Sequence, residues 1–195
     1  MKHIAIFASG EGTNAQQLIN YFKGKNVKIE LIICNNPKAN VLKRAESHGI
    51  PSLLIDRDGF YKGDLVLNRL LNEKTDLIVC AGFLWKIPDN ILKAFPDKIV
   101  NIHPALLPKF GGKGMYGSNV HKAVIESGEK ESGISIHYLN EHYDEGKIIL
   151  QRKCEVAPND TPDSLAKKIH VLEHEWYPRT IDELLNNKLC KEFTS

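Results

Sequence analysis

The chain has 195 residues, 42% of them hydrophobic, and a formal charge of +2. That length suits a single domain with a substantial core, and a near-neutral chain with scattered basic residues gives no electrostatic case for a nucleic-acid partner. No apolar run is long enough to span a bilayer, which argues against a membrane partner.

The N-terminus, Met1-Lys2-His3-Ile4, leads straight into a strand-like run without a signal-peptide pattern, so a cytoplasmic location is expected. The four cysteines, Cys34, Cys80, Cys154 and Cys190, are far apart and form no CxxC pair. Neither a local zinc knuckle nor a redox motif is supported, and buried reduced thiols are expected.

In chain order, residues 3–8 form a compact apolar strand. Residues 13–22 carry Leu18, Ile19 and Phe22 at helical spacing. A second strand covers 27–34. A short helix covers 39–48 and stops at Gly49 and Pro51. A third strand over 52–55 and a helix over 65–71 follow. Strands at 76–81 and 98–102 flank a short helix at 88–94. Short apolar strands alternating with helices predict an α/β fold, a Rossmann-like, mostly parallel sheet with helices on both faces.

The pattern then changes. Residues 117–126 read as a helix. Strands over 133–139 and 147–156, joined by a short polar connection, predict an antiparallel pair at the sheet edge in the C-terminal part. Thr161-Pro162-Asp163 is a helix start with proline at the first position. Leu165, Ile169, Leu172 and Trp176 are predicted to share its buried face, with Pro178 ending or kinking it and 181–185 continuing in helical style. One domain over 1–195 is expected, with a phosphate-binding half over about 1–100 and a catalytic half over about 101–195.

Ser9-Gly10-Glu11-Gly12-Thr13-Asn14-Ala15 joins the first strand to the first helix. The spacing satisfies G-x-G-x-x-A, but the second strand ends Cys34-Asn35-Asn36 without the acid that would hold a dinucleotide ribose. Small residues and free N–H groups at a helix start still suit an anion, with Gly12, Thr13 and Asn14 as phosphate contacts. A tight turn without a ligand fits the same residues.

In the strand Lys98-Ile99-Val100-Asn101-Ile102-His103-Pro104, alternation places Asn101 and His103 on one face. Open α/β sheets bind ligands at the carboxyl ends of their strands. A structural histidine is the other reading of His103 alone. His170 and His174 have i, i+4 spacing but lack the HExxH arrangement, so ordinary helix residues are expected there.

Asn101-Ile102-His103-Pro104-Ala105-Leu106-Leu107-Pro108 resembles the signature of the folate-dependent phosphoribosylglycinamide formyltransferase family. Ser9–Asn14, Ala81-Gly82-Phe83-Leu84, Gly133-Ile134-Ser135-Ile136-His137, Asp144-Glu145-Gly146-Lys147-Ile148-Ile149-Leu150-Gln151, Glu173-His174 and Tyr177-Pro178 resemble further motifs of that family, in its order. The resemblance implies formyl transfer from 10-formyltetrahydrofolate, as co-substrate, to the amine of 5-phosphoribosylglycinamide in purine biosynthesis, without a metal. It implies Asn101, His103 and Asp144 as catalytic residues, Gly12, Thr13 and Asn14 at the phosphate, and Glu173 at the ribose. On the folate side it implies Leu84, Trp85, Lys86, Ile87, Asn101, Asn140, Glu141, His142 and Tyr143, with Lys62 near a basic position at the folate tail. Small-molecule substrates are the implied partners, and the chain is expected to be a monomer or weak homodimer.

The sequence departs from the family at Trp85, where arginine is common, at Ala105, where serine is, and at Lys147, where proline is. The segment Lys109-Phe110-Gly111-Gly112-Lys113-Gly114-Met115-Tyr116-Gly117 is longer than the family's usual loop, and its glycines suggest mobility.

Amine attack on a formyl carbon builds an oxyanion. The Asn101 amide can donate to it without changing charge. A free histidine titrates near pH 6.5, and a neighbouring carboxylate favours its charged form, so Asp144 is expected to bias His103 toward an imidazolium. Alternatives are a 10-formyltetrahydrofolate hydrolase, a methionyl-tRNA formyltransferase and a non-catalytic folate or phosphosugar-binding protein. The glycine loop favours a phosphorylated acceptor over water. The missing basic stripe disfavours RNA, and a binding protein would be expected to lose His103 or Asp144.

Overall fold

The computed structural model describes residues 1–142 and 144–187. The chain divides into two compact units, the first ending at Val100 and the second starting at Asn101. The first holds β1 (Lys2–Ala8), α1 (Thr13–Phe22), β2 (Val27–Cys34), α2 (Asn40–Ser47), β3 (Ser52–Leu54), α3 (Arg57–Lys62), α4 (Leu65–Asn72), β4 (Leu77–Cys80) and α5 (Asp89–Ala94). β5 (Ile99–His103) begins as that unit ends. The second unit continues with α6 (Ser118–Ser127), β6 (Glu131–Tyr138), β7 (Ile148–Glu155) and α7 (Pro162–Leu185). The sheet order is β3-β2-β1-β4-β5-β6-β7.

In the first unit, β1 pairs in parallel with β2 and β4, and β2 with β3. Ile6 lies opposite Ile32 on one side and Val79 on the other. A strand covered on both faces needs apolar residues at every position, not alternate ones. Ile4 through Ala8 are accordingly all fully buried. Each large side chain removed from water contributes about 1.5–3 kcal/mol. α1 buries Ala15, Leu18 and Phe22, whereas Ile19 is half-buried.

The second unit ends its sheet with the antiparallel pair β6–β7, in which Ser135 lies opposite Gln151. β7 is the edge strand, as the sequence predicts. α7 starts with a reciprocal cap: Ser164 N–H donates to Thr161 Oγ1 (3.2 Å) and Thr161 N–H to Ser164 Oγ (2.9 Å). Such a cap is worth about 1 kcal/mol.

Of the two outcomes expected at Pro178, an end or a kink, the helix does not end there; it runs through to Leu185, continuing over 181–185 as the sequence predicts. An interior proline costs about 3 kcal/mol or more, but Tyr177, Pro178, Thr180 and Ile181 are all buried, so packing on this face outweighs local propensity. The buried stripe runs Leu165, Ile169, Glu173, Tyr177, Ile181. Leu172 and Trp176 are only half-buried and flank it. A pattern read from apolar residues alone stepped around Glu173.

α3 lies in a stretch for which the sequence predicts no element. Its one local signal is the cap, where Asp56 Oδ1 accepts from Gly59 N–H (2.7 Å). Cys34 and Cys80 are buried free thiols, Cys154 is half-buried, and Cys190 lies outside the described residues. Among the described residues, no helix is long and apolar enough to cross a membrane.

Candidate active site

The glycine loop of the first unit is held by its own backbone. Gly12 caps α1 at φ 70°, with no side-chain cap. A Cβ there would stand 2.7 Å from Val41 Cβ and Cγ2, so only glycine permits this approach to α2. Ser9 N–H donates to the Gly82 carbonyl (3.1 Å), and Ser9 Oγ accepts from Leu84 N–H (2.9 Å). Arg44 Nε donates to the Glu11 carbonyl (2.8 Å). The start of α1, with Thr13 and Asn14 in its first turn, is thus fixed while its N–H groups keep the partial positive charge of a helix N-terminus.

Leu84 is half exposed, at 54%, and Ile87 is buried. Trp85 packs on Phe60 (5.9 Å between ring centroids) and Tyr61 (6.2 Å), with the Arg57 guanidinium 5.6 Å from its ring. Trp85 therefore belongs to an aromatic platform that combines the loop after β4 with α3. Lys62 is exposed and pairs with Asp58 at 3.0 Å. It lines a cavity of about 430 Å³ together with Tyr61, Lys86, Ile87 and Asn90.

The three predicted catalytic residues meet in the second unit. Asn101 and His103 alternate along β5, as the strand period requires. Asp144, at φ 54°, sits with Oδ2 3.7 Å from His103 Nδ1 and Oδ1 3.6 Å from His137 Nε2. Both gaps exceed a hydrogen bond. The carboxylate is fixed instead by Gly112 N–H, which donates to Oδ2 (2.9 Å).

His137, named above only within a strand motif, is a further, fully buried member of this cluster. Its Nδ1–H donates to the Tyr138 carbonyl (3.0 Å), so Nε2 is the acceptor that Asn101 Nδ2 meets at 3.2 Å. An amide NH2 has two hydrogens, and no described residue takes the second. Ser135, also fully buried, clasps the turn after β5. Its Oγ donates to the Ala105 carbonyl (2.7 Å) and accepts from Leu107 N–H (2.9 Å) and Gln151 Nε2 (2.8 Å). Ser135 and His137 alternate on β6 as Asn101 and His103 do on β5. Polar residues at every second position of a buried strand are the signal that could have found them.

His103 corrects an expectation. Burial lowers its pKa, and the opposing pull of Asp144 and of the Phe110 carbonyl does not overcome that. The resting imidazole is neutral at pH 7 rather than biased toward the charged form. His137 is lowered for the same first reason, burial. A charge next to a carboxylate gains less here than it loses on leaving water.

Glu173 is buried on α7. Asn140, Glu141 and His142 are exposed on the β6–β7 connection, where Asn140 Oδ1 accepts from His142 N–H (2.9 Å). Tyr143 lies outside the described residues. Among those described, no group of three or more His, Cys, Asp or Glu is arranged to hold a metal ion.

A mostly parallel sheet ending in an antiparallel edge pair is shared with solved group-transferring enzymes. Residues 2–181 match the model of the formyl transferase family; the chain belongs to that family. It is 36% identical to the phosphoribosylglycinamide formyltransferase of Bacillus subtilis (strain 168), over 96% of this chain and 98% of that one. It is 39% identical to the chloroplastic phosphoribosylglycinamide formyltransferase of Arabidopsis thaliana, over 96% of this chain and 67% of that one. The solved phosphoribosylglycinamide formyltransferase of Bacillus halodurans superposes with a TM-score of 0.86 at 34% identity, covering 100% of both chains. That of Anaplasma phagocytophilum gives 0.88 at 32%, covering 95% of this chain and 87% of that one.

Proposed function

We propose that the protein transfers the formyl group of 10-formyltetrahydrofolate to the amine of 5-phosphoribosylglycinamide, a step of purine biosynthesis. The observation that carries this reading is the Asn101–His103–Asp144 cluster in a chain whose near-full-length relatives bear that enzyme's name. Small-molecule substrates follow from it.

The neutral amine attacks the formyl carbon. The second hydrogen of the Asn101 amide meets the oxyanion, while the first stays on His137. Neutral His103 takes the proton of the attacking nitrogen on Nδ1, which carries the lone pair because Nε2–H is donated to the Phe110 carbonyl. Asp144 stabilises the imidazolium so formed. The imidazolium then hands the proton to the departing folate nitrogen, and the amide product leaves. A depressed His103 pKa suits this order, because the group starts as a base and a strained imidazolium is a ready acid. Gly12, Thr13 and Asn14 take the substrate phosphate and Glu173 the ribose. Leu84 to Ile87, Asn101 and residues 140–143 meet the folate, with Lys62 at its tail.

Mixing the protein with both substrates and following tetrahydrofolate release tests this directly. Release that requires phosphoribosylglycinamide is expected. Release with water alone supports a hydrolase instead, and binding of either compound without turnover supports a sensor.

A further inference from the structure

The geometry points to Phe110–Gly112 as a main-chain strap that positions the catalytic pair and selects the tautomer of His103, with Gly111 the residue that lets it lie there. This rests on the formyl-transfer reading for its kinetic consequence, though not for its structural one. The Phe110 carbonyl accepts from His103 Nε2 at 2.8 Å, and two residues on Gly112 N–H donates to Asp144 Oδ2 at 2.9 Å. One short piece of backbone therefore grips both partners.

A carbonyl can only accept, so the first bond requires the proton on Nε2 and leaves the lone pair on Nδ1, the nitrogen facing Asp144. His137, whose Nδ1–H is held by the Tyr138 carbonyl, is locked in the opposite tautomer. The two buried imidazoles beside Asp144 thus differ through backbone contacts alone.

Space makes Gly111 the critical position. A Cβ there would stand 2.6 Å from Leu107 Cδ2 and 3.3 Å from Asp144 Cβ. Leu107 cannot easily retreat, because it is buried and its N–H is bonded to Ser135. Phe110 itself adopts φ 56°, a conformation that a bulky residue holds only where its surroundings impose it. No side chain of the strap touches a reacting atom in this scheme. Phe110 and Gly111 are positioning residues.

The test is nitrogen NMR of the 15N-labelled imidazoles in the intact protein at a pH where they are neutral, with His103→Gln used to assign the signal. The wild type should show His103 protonated on Nε2 and His137 on Nδ1. Gly111→Ala should mix the His103 tautomers and lower kcat by about 10²-fold, as a misplacement of order 1 Å does. KM for both substrates should stay within about twofold. Adding Leu107→Ala, which removes the atom that a new Cβ meets, should restore part of kcat and of the Nε2–H signal. A wild-type His103 protonated on Nδ1 overturns the strap, and so does a Gly111→Ala protein with unchanged tautomer and kcat. If Gly111→Ala does not fold, the wild-type spectrum decides alone. If the wild type transfers no formyl group, the functional reading fails while the tautomer still answers the structural question.

Discussion

The loop at Gly12 and the cluster at His103 are built from different material. The first is a backbone device: a left-handed glycine, a helix start and hydrogen bonds made by Ser9 and Arg44 that fix the chain where α1 begins. The second is a side-chain device whose members come from β5, β6 and the β6–β7 connection, with its two histidines buried deeply enough that their pKa values are lowered. A backbone device depends on local geometry and should govern how tightly substrate is held. A buried side-chain device depends on packing and should govern how fast the bound substrate reacts.

Substitutions can break that division, and the largest effect is expected in the second unit. His103→Ala removes the proton carrier and Asp144→Asn removes the carboxylate that stabilises its charged form. Each should lower kcat by about 10²–10⁴-fold, with KM for phosphoribosylglycinamide little changed, in steady-state assays of folded protein. A near-normal kcat in either variant would remove the proposed roles.

Next comes Gly12→Ala. The new Cβ meets Val41 at 2.7 Å and the residue must keep φ near 70°, so the helix start must shift. KM for phosphoribosylglycinamide should rise about tenfold or more, the worth of one charge-assisted hydrogen bond, with kcat largely kept. A fall in kcat at unchanged KM would erase the distinction between the two regions.

Smaller still is Ser135→Ala, which strands Leu107 N–H and the Ala105 carbonyl in the interior. A loss of about 1–3 kcal/mol in denaturant unfolding is expected. No change would mean that Gln151, which also donates to the Leu107 carbonyl (3.0 Å), holds the turn alone.

The mildest effect concerns pH. Burial is the leading cause that lowers the pKa of His103, His121, His137 and His174. Their unfolded counterparts titrate near pH 6.5. Below that value the unfolded chain binds protons that the folded chain does not, so stability rises with pH and falls as pH drops through the window. The thermal midpoint should fall between about pH 7.5 and about pH 5.5, a range above the carboxylate pKa values. A flat or rising midpoint would contradict the assigned burial of these imidazoles.

The same division explains what could be read from the chain. β1, α1, the edge pair β6–β7 and the capped start of α7 announce themselves through local pattern and spacing. Asn101 and His103 are paired by strand alternation, and Gly12 by its motif. Asp144 reaches them only through the ordered family motifs, because nothing local marks its approach across the long separation in sequence. The roles of His137, Ser135 and the Phe110 carbonyl arise from tertiary contacts. At Pro178 packing outweighs local propensity and the helix runs on, and at His103 desolvation outweighs the neighbouring carboxylate.

The fate of the formyl group decides the central claim most directly. With 10-formyltetrahydrofolate carrying a labelled formyl carbon, the account predicts that label appears in formylated phosphoribosylglycinamide, one for each tetrahydrofolate released, and that little is released when that amine is left out. Label recovered as free formate at a rate independent of the amine would contradict it.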